Sequence, residues 1–318
     1  MPENEIESFA DANTRESALC ERLGQNKLRC FACGHRCLIP EGKRGICLVR
    51  YNKGGKLCVP HGYVSALHAD PIEKKPFYHA LPGETALTFG MLGCDFHCPY
   101  CQNWDISQFI RDRGVNVYPV KITADEILQA AVGAGASFMV SSYNEPLITA
   151  EWAMEIFGLA MKHKLKTAFV SNGYATPEVL RYIRPFTECF KVDLKGMRQE
   201  NYRELGGKVS VVLDTIKQLV EMKFWVEIVT LLVPGFNDSE EELKAMADFL
   251  ASTSPDIPWH ISAFHGDYKW ADRANTSKAM LLRACGIGED AGLKFIAHVR
   301  NEIVFQLSKT FLHTQLVR

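Results

Sequence analysis

Three cysteines constrain this chain more than any other feature. Cys94, Cys98 and Cys101 stand in C-x3-C-x2-C spacing on a glycine-led loop, directly after an apolar run at residues 86–92 that reads as a strand. Three thiolates on one tight loop suit three irons of a cubane iron–sulfur cluster, whose usual protein ligands are cysteines. No fourth cysteine lies close by, so one iron stays open to a substrate or cofactor, as an open position marks a catalytic metal site. The same residues also allow a structural zinc site or a loop lined by reduced thiols.

Eleven cysteines occur in 318 residues, and seven of them fall in two clusters. The N-terminal residues 1–13 are acidic and polar, unlike a secretory signal. Cysteines in such a chain argue against a disulfide framework and for metal or redox chemistry in a reducing, cytoplasmic compartment. No apolar run approaches the roughly 20 residues that span a bilayer, so no membrane partner is expected. A formal net charge of -1 gives no global argument for nucleic acid.

The second cluster, Cys30, Cys33, Cys37 and Cys47, reads C-x2-C-x3-C-x9-C. Interspersed Gly and Pro allow the tight turns that wrap a metal. Four cysteines match a closed structural zinc site or a second iron–sulfur cluster, with His35 able to replace one ligand. Before it, residues 1–25 suggest an irregular start and then a short helix carrying Leu19 and Leu23. After it, residues 56–84 read as loop-rich with one hairpin. The charged run Asp70-Pro71-Ile72-Glu73-Lys74-Lys75-Pro76 reads as a solvated face. A domain boundary is expected near Pro82-Gly83.

Beyond the cysteine loop, strands and helices alternate. Helices are expected at 122–133, 150–163, 177–182, 211–222 and 240–251. Strands are expected at 137–142, 167–170, 189–194, 225–233 and 259–264. Thr123 with Glu126 three residues on is a capping-box signature. Strand–helix units of this length mean parallel strands with helical crossovers. With the strand at 86–92 they make six units, an α/β fold in the form of a partial, open (β/α)6 barrel.

In such folds reactive residues gather in the loops after the strands. Polar residues fall there: Asn144-Glu145 after the second strand, Ser171-Asn172-Gly173 after the third, Asp193-Leu194-Lys195 after the fourth, Pro234-Gly235 after the fifth and His265 after the sixth. Each alone is an ordinary turn, cap or surface pair. Five in register with five strands are harder to dismiss.

The cysteine spacing, Tyr100 before the last cysteine and the preceding strand resemble the signature of the radical S-adenosylmethionine (SAM) superfamily. The continuation Cys101-Gln102-Asn103-Trp104-Asp105-Ile106-Ser107 resembles the branch of pyruvate formate-lyase activating enzymes. Within it, the chain is most similar to the radical SAM enzyme of the AmmeMemoRadiSam system, over residues 28–293. The resemblance implies a TIM-like barrel, a 4Fe–4S cluster on Cys94, Cys98 and Cys101, and SAM chelated at the open iron. It implies reductive cleavage of SAM to a 5′-deoxyadenosyl radical that takes hydrogen from a substrate, in this branch a partner protein, with a small molecule as the alternative. A flavodoxin or ferredoxin would supply electrons. It further implies that Tyr100, Asn144, Glu145, Ser171, Asn172 and Pro234 contact SAM. Asp193, Lys195 and His265 would lie near both SAM and the substrate. A non-catalytic zinc-binding interaction module is the reading from a different class.

The division expected is a cysteine-rich module at 1–82, a barrel at 83–295 and an atypical tail at 296–318. The related family continues through a Gly-Asn turn to a terminal cysteine pair. This tail has no cysteine, and a helix is expected from residue 302 onward.

Overall fold

The structure is a computed structural model, and it describes residues 3–112, 117–300 and 303–305. Its centre is one nine-stranded sheet. In chain order the strands are β1 (Ala66–Pro71), β2 (Thr85–Gly90), β3 (Phe138–Ser141), β4 (Lys166–Ser171), β5 (Cys189–Asp193), β6 (Trp225–Leu232), β7 (Trp259–Ala263), β8 (Ile296–Arg300) and β9 (Ile303–Phe305). Their spatial order equals their sequence order. Strands β2 to β8 are parallel, while β1 and β9 pair antiparallel at the two edges. Among the described residues the two edges do not pair with each other, so the barrel is open.

Six of the expected parallel strands are present, and the tail contributes a seventh, β8. Residues 303–305, assigned above to a helix, form β9 instead. The hydrophobic residues of this stretch extend the sheet, because Ile296 to Val299 find β7 as a partner in register.

The longer helices among and after the parallel strands include α1 (Ala124–Gly133), α2 (Ala150–Lys162), α3 (Pro177–Ile183), α4 (Val209–Glu221), α5 (Glu240–Thr253) and α6 (Lys278–Asp290). Thr123 caps α1 through a complete capping box with Glu126, satisfying backbone donors that the first turn leaves open. Helix α6 was not anticipated. Among the described residues no helix is long and apolar enough to cross a membrane.

Strand periodicity separates two apolar layers. On β5, Phe190 and Val192 face the helices and join the main core. Cys189 faces the lumen with Ala86, Phe138, Val140 and Ala168, where Ile72, Phe77 and Ala80 pack against them. The segment between β1 and β2 therefore plugs the end of the barrel where the strands begin. Glu227 on β6 latches it: the carboxylate accepts the backbone N–H groups of Tyr78 and His79 at 2.9 and 3.1 Å. It also accepts Trp225 Nε1 and His260 Nε2 at 2.9 and 2.7 Å. The imidazoles of His260 and His79 hold Glu227 well below the usual carboxylate range despite its burial.

Asp70 to Pro76 were read above as a solvated face, and the structure corrects that. Ile72 is fully buried and Lys75 is 6% exposed. The apolar residues between the charges enter the lumen and pull the neighbouring lysine in with them.

The N-terminal residues also differ from expectation. The helix lies at Glu3–Ala12, while Cys20–Leu23 is a strand paired antiparallel with Lys27–Cys30. This module is fastened to the barrel by Arg50. Its guanidinium makes a bidentate pair with Glu151 at the start of α2, 2.8 Å on both arms, with both side chains buried. Ser17 donates to the same carboxylate.

Candidate functional site

The parallel register brings every expected polar strand end to one rim. The cysteine loop follows β2 there. Gly93 begins it with φ 92°, and a Cβ at this position would lie 2.7 Å from Val49 of the N-terminal module. Glycine is needed both for the turn and for that close approach.

A cavity of about 730 Å³ opens at this rim. Cys98, Cys101, Tyr100, Asp193, Lys195 and His265 line it. The structure thus brings together half of the barrel residues named from sequence. His265 Nε2 accepts the side-chain amide of Gln102 at 2.7 Å, joining the end of β7 to the cysteine loop. Asp193 lies between two lysines, Lys191 and Lys195 Nζ, the latter at 3.4 Å. Burial raises the Asp193 pKa, but the lysines outweigh it and the net shift is downward. Lys195 is likewise held above its usual range by Asp193, against its own burial.

Asn144, Glu145, Ser171, Asn172 and Pro234 are not among the lining residues. The first four form a buried network beside the cysteine loop. Glu145 accepts Leu147 N at 3.0 Å, Ser171 Oγ at 2.7 Å and Asn172 N at 2.8 Å. Its backbone before Pro146 is extended, at φ -81° and ψ 109°, as a pre-proline residue prefers. Asn172 Nδ2 donates to Asp95 Oδ1 at 2.8 Å, and Asn144 Oδ1 accepts Met91 N at 3.0 Å. Burial, with Asp95 adding to it, pushes Glu145 up to about 8. Asp95 Oδ2 is buried without a hydrogen-bond partner. Two buried carboxylates with an unfilled acceptor suit a cationic ligand group.

Among the described residues, one group of His, Cys, Asp or Glu has ligand atoms all within 4.8 Å of one another: His79, Glu227 and His260. Phe96 N donates to Cys94 Sγ at 3.4 Å, and Cys101 Sγ lies 3.3 Å from Ser107 Oγ. Such donors favour the thiolate form that cluster ligation needs.

Cys30, Cys33 and Cys47 are buried, and Cys37 accepts Ile46 N at 3.4 Å. His35 turns the other way, with Nε2 3.1 Å from the backbone oxygen of Asp95. This module therefore packs directly on the cysteine loop. Sequence reasoning missed Asp95, Lys191 and Lys75. The period-two spacing of Lys191, Asp193 and Lys195 was the one available signal for Lys191.

A three-thiol loop at the open rim of a partial α/β barrel defines the class. The model of the "Radical SAM superfamily" matches residues 89–250, and the chain belongs to that superfamily. It is 32% identical to an uncharacterised protein of Methanocaldococcus jannaschii over 89% of this chain and 84% of that one. It is 26% identical to the pyruvate formate-lyase-activating enzyme of Staphylococcus aureus, over 56% of this chain and 74% of that enzyme. A radical SAM methyltransferase from Sphaerobacter thermophilus shares the fold, with TM-score 0.53 and 14% identity over 70% of this chain and 68% of that one. The chain is thus a radical SAM enzyme of the activating-enzyme-like branch, and the family implies a 4Fe–4S cluster and SAM.

Proposed function

We propose that this enzyme takes a hydrogen atom from a partner protein, as an activating enzyme does. The relative named as a pyruvate formate-lyase-activating enzyme supports this reading. Cys94, Cys98 and Cys101 would hold the cluster. Bound together, cluster and SAM would supply radical chemistry able to break an unactivated C–H bond. The chain's own residues position and shield that chemistry. Lys195 and Asp193 present a fixed charge pair to ligands in the cavity. Tyr100, packed against Trp270 at 5.2 Å between ring centres, walls off one side. His265, held by Gln102, sets the other edge of the loop. Asn144, Glu145, Ser171 and Asn172 stiffen the floor, and the carboxylates of Glu145 and Asp95 would face the SAM ammonium, a charge-assisted pairing. Pro234 would lie near the adenine. Cys30, Cys33, Cys37 and Cys47 would hold a second metal group, a structural zinc or a second iron–sulfur cluster. A flavodoxin or ferredoxin would be the electron donor, and the cytoplasm the compartment.

The observation that carries the enzymatic reading is that Cys98, Cys101, Asp193, Lys195 and His265, drawn from three separate strand ends, line one cavity. A small-molecule substrate is the second reading, favoured by the bounded volume of that cavity. Deuterium transfer into 5′-deoxyadenosine tests both. Label arriving from a deuterated protein fraction supports the first; label arriving from deuterated metabolites alone removes it.

A further inference from the structure

Cys20 belongs to neither cysteine cluster, yet the fold sets it against one of their members. It lies on the strand Cys20–Leu23, directly opposite Cys30 on the strand Lys27–Cys30. The turn between the strands holds Gln25 and Asn26 in left-handed backbone, at φ 62° and 53°, and a short turn fixes the register of its hairpin. Phe31 N donates to Leu19 O at 2.9 Å, one residue out from the cysteines. Cys20 and Cys30 are therefore a non-hydrogen-bonded pair. In such pairs the Cα atoms stand about 4.5 Å apart and the side chains share one face. A disulfide takes Cα atoms about 4.4–6.8 Å apart, so the register itself puts the two thiols within bridging range.

Cys30 has a neighbour on its other side as well. Its N–H donates to Cys37 O at 3.0 Å, and both Cys20 and Cys37 pack on the small core that contains Cys30. Cys20 is half-buried, whereas Cys30 is 6% exposed, so a reagent from solvent meets Cys20 first. The Cys20 thiol has a long contact to Ser17 O, at 3.6 Å. Burial raises its pKa, which slows its attack but leaves its reach to Cys30 unchanged.

We propose that Cys20 and Cys30 form a reversible disulfide, an oxidation site that takes Cys30 away from the metal set of Cys30, Cys33, Cys37 and Cys47. The oxidant is a small disulfide. The Cys20 thiolate attacks one of its sulfurs, forming a mixed disulfide and releasing one small thiol. The Cys30 thiolate then attacks the Cys20 sulfur and releases the second. Two protein thiols are oxidised, one small disulfide is reduced to two thiols, and the two protons pass to those thiols. Excess thiol reverses the exchange. Without Cys30 the set has three thiols, one short of a closed four-ligand site. The consequence for metal rests on the reading of those four cysteines given above, while the bridge rests on the hairpin register.

The test uses the full-length, cluster-reconstituted protein, kept free of oxygen and incubated with oxidised glutathione. Remaining thiols are blocked, and peptides are mapped by mass spectrometry without reduction. A Cys20–Cys30 linked peptide in most of the wild type, reversed by dithiothreitol and absent from Cys20→Ser, supports the proposal. Metal released from the same samples should rise with the linked peptide in the wild type and not in Cys20→Ser. Cys20→Ala serves in its place if the serine variant does not fold. Glutathione left on Cys20 without a bridge overturns the proposal, as does no bridge at all or a bridge from Cys30 to another cysteine. A bridge formed while a metal-loaded module keeps its metal overturns the competition for Cys30. A bridge in a wild-type module that holds no metal from the start supports the thiol pair and fails the metal reading of the four cysteines instead.

Discussion

Asn172, at the end of β4, donates to Asp95 between the first two loop cysteines, 2.8 Å from Nδ2 to Oδ1. This one hydrogen bond joins a strand end to the cysteine loop. Through Glu145, which accepts the Asn172 backbone N–H at 2.8 Å, it also joins the end of β3. Disturbing any member should therefore be felt at the others.

Cys94, Cys98 and Cys101 should be separately essential. Replacing any one with Ala is expected to remove most of the iron of that cluster and abolish SAM cleavage, since three protein ligands leave none to spare. Iron and sulfide analysis with a 5′-deoxyadenosine assay checks this. Full cleavage by Cys98→Ala would end the radical SAM assignment of this loop.

Cys30 packs in its own small core with Leu28, Ala32, Ile39, Leu57 and Val59. Cys30→Ala is expected to lower the metal content of the N-terminal module while the spectrum of the SAM-binding cluster persists. Metal analysis of the wild type should find metal beyond one cluster of iron: further iron assigns a second cluster to these cysteines, and stoichiometric zinc assigns zinc.

Glu145→Gln turns an NH2 group toward backbone N–H and hydroxyl donors that now meet a carboxylate. Leaving buried donors unsatisfied costs about 1–3 kcal/mol. Urea denaturation of the apoprotein should show a loss of that size. A stability equal to wild type would mean the network is not formed as described.

Arg50→Met should cost about 3–5 kcal/mol, because it strands the buried Glu151 carboxylate. The double change Arg50→Met with Glu151→Met should recover much of that loss. Equal losses in single and double variants would show that the pair does not fasten the module.

Stability should fall toward acid through the plug latch. Burial lowers the His260 pKa, with Glu227 opposing that shift, and the donors around Glu227 lower its pKa as well. For both groups the folded state binds fewer protons than the unfolded chain. Stability is therefore full above the unfolded values, about 6.5 for His and 4.3 for Glu, and is lost as pH falls toward the folded ones. Thermal unfolding between pH 7 and 4 should show a slope that Glu227→Gln flattens. An unchanged slope would remove the latch from the acid response.

The strand–helix alternation, the Thr123 cap and the cysteine loop were legible in the chain because they are local. A period of two or 3.6 residues, a cap three residues from its partner and ligands within eight residues need no tertiary information. The rim position of Asp193, Lys195 and His265 followed from parallel topology alone. Tertiary structure decided the rest. Ile72 and Phe77 enter a lumen whose walls come from strands as distant as β5, so the charges between them looked like a surface. Lys75 meets Tyr143, and Arg50 meets Glu151, across 68 and 101 residues, and no local pattern encodes such partners. Glu145 was readable as a strand-end carboxylate. Whether it faced a cavity or was held by Ser171 and Asn172 depended on how β3 and β4 pack, because burial and hydrogen bonding belong to the neighbours a residue acquires on folding.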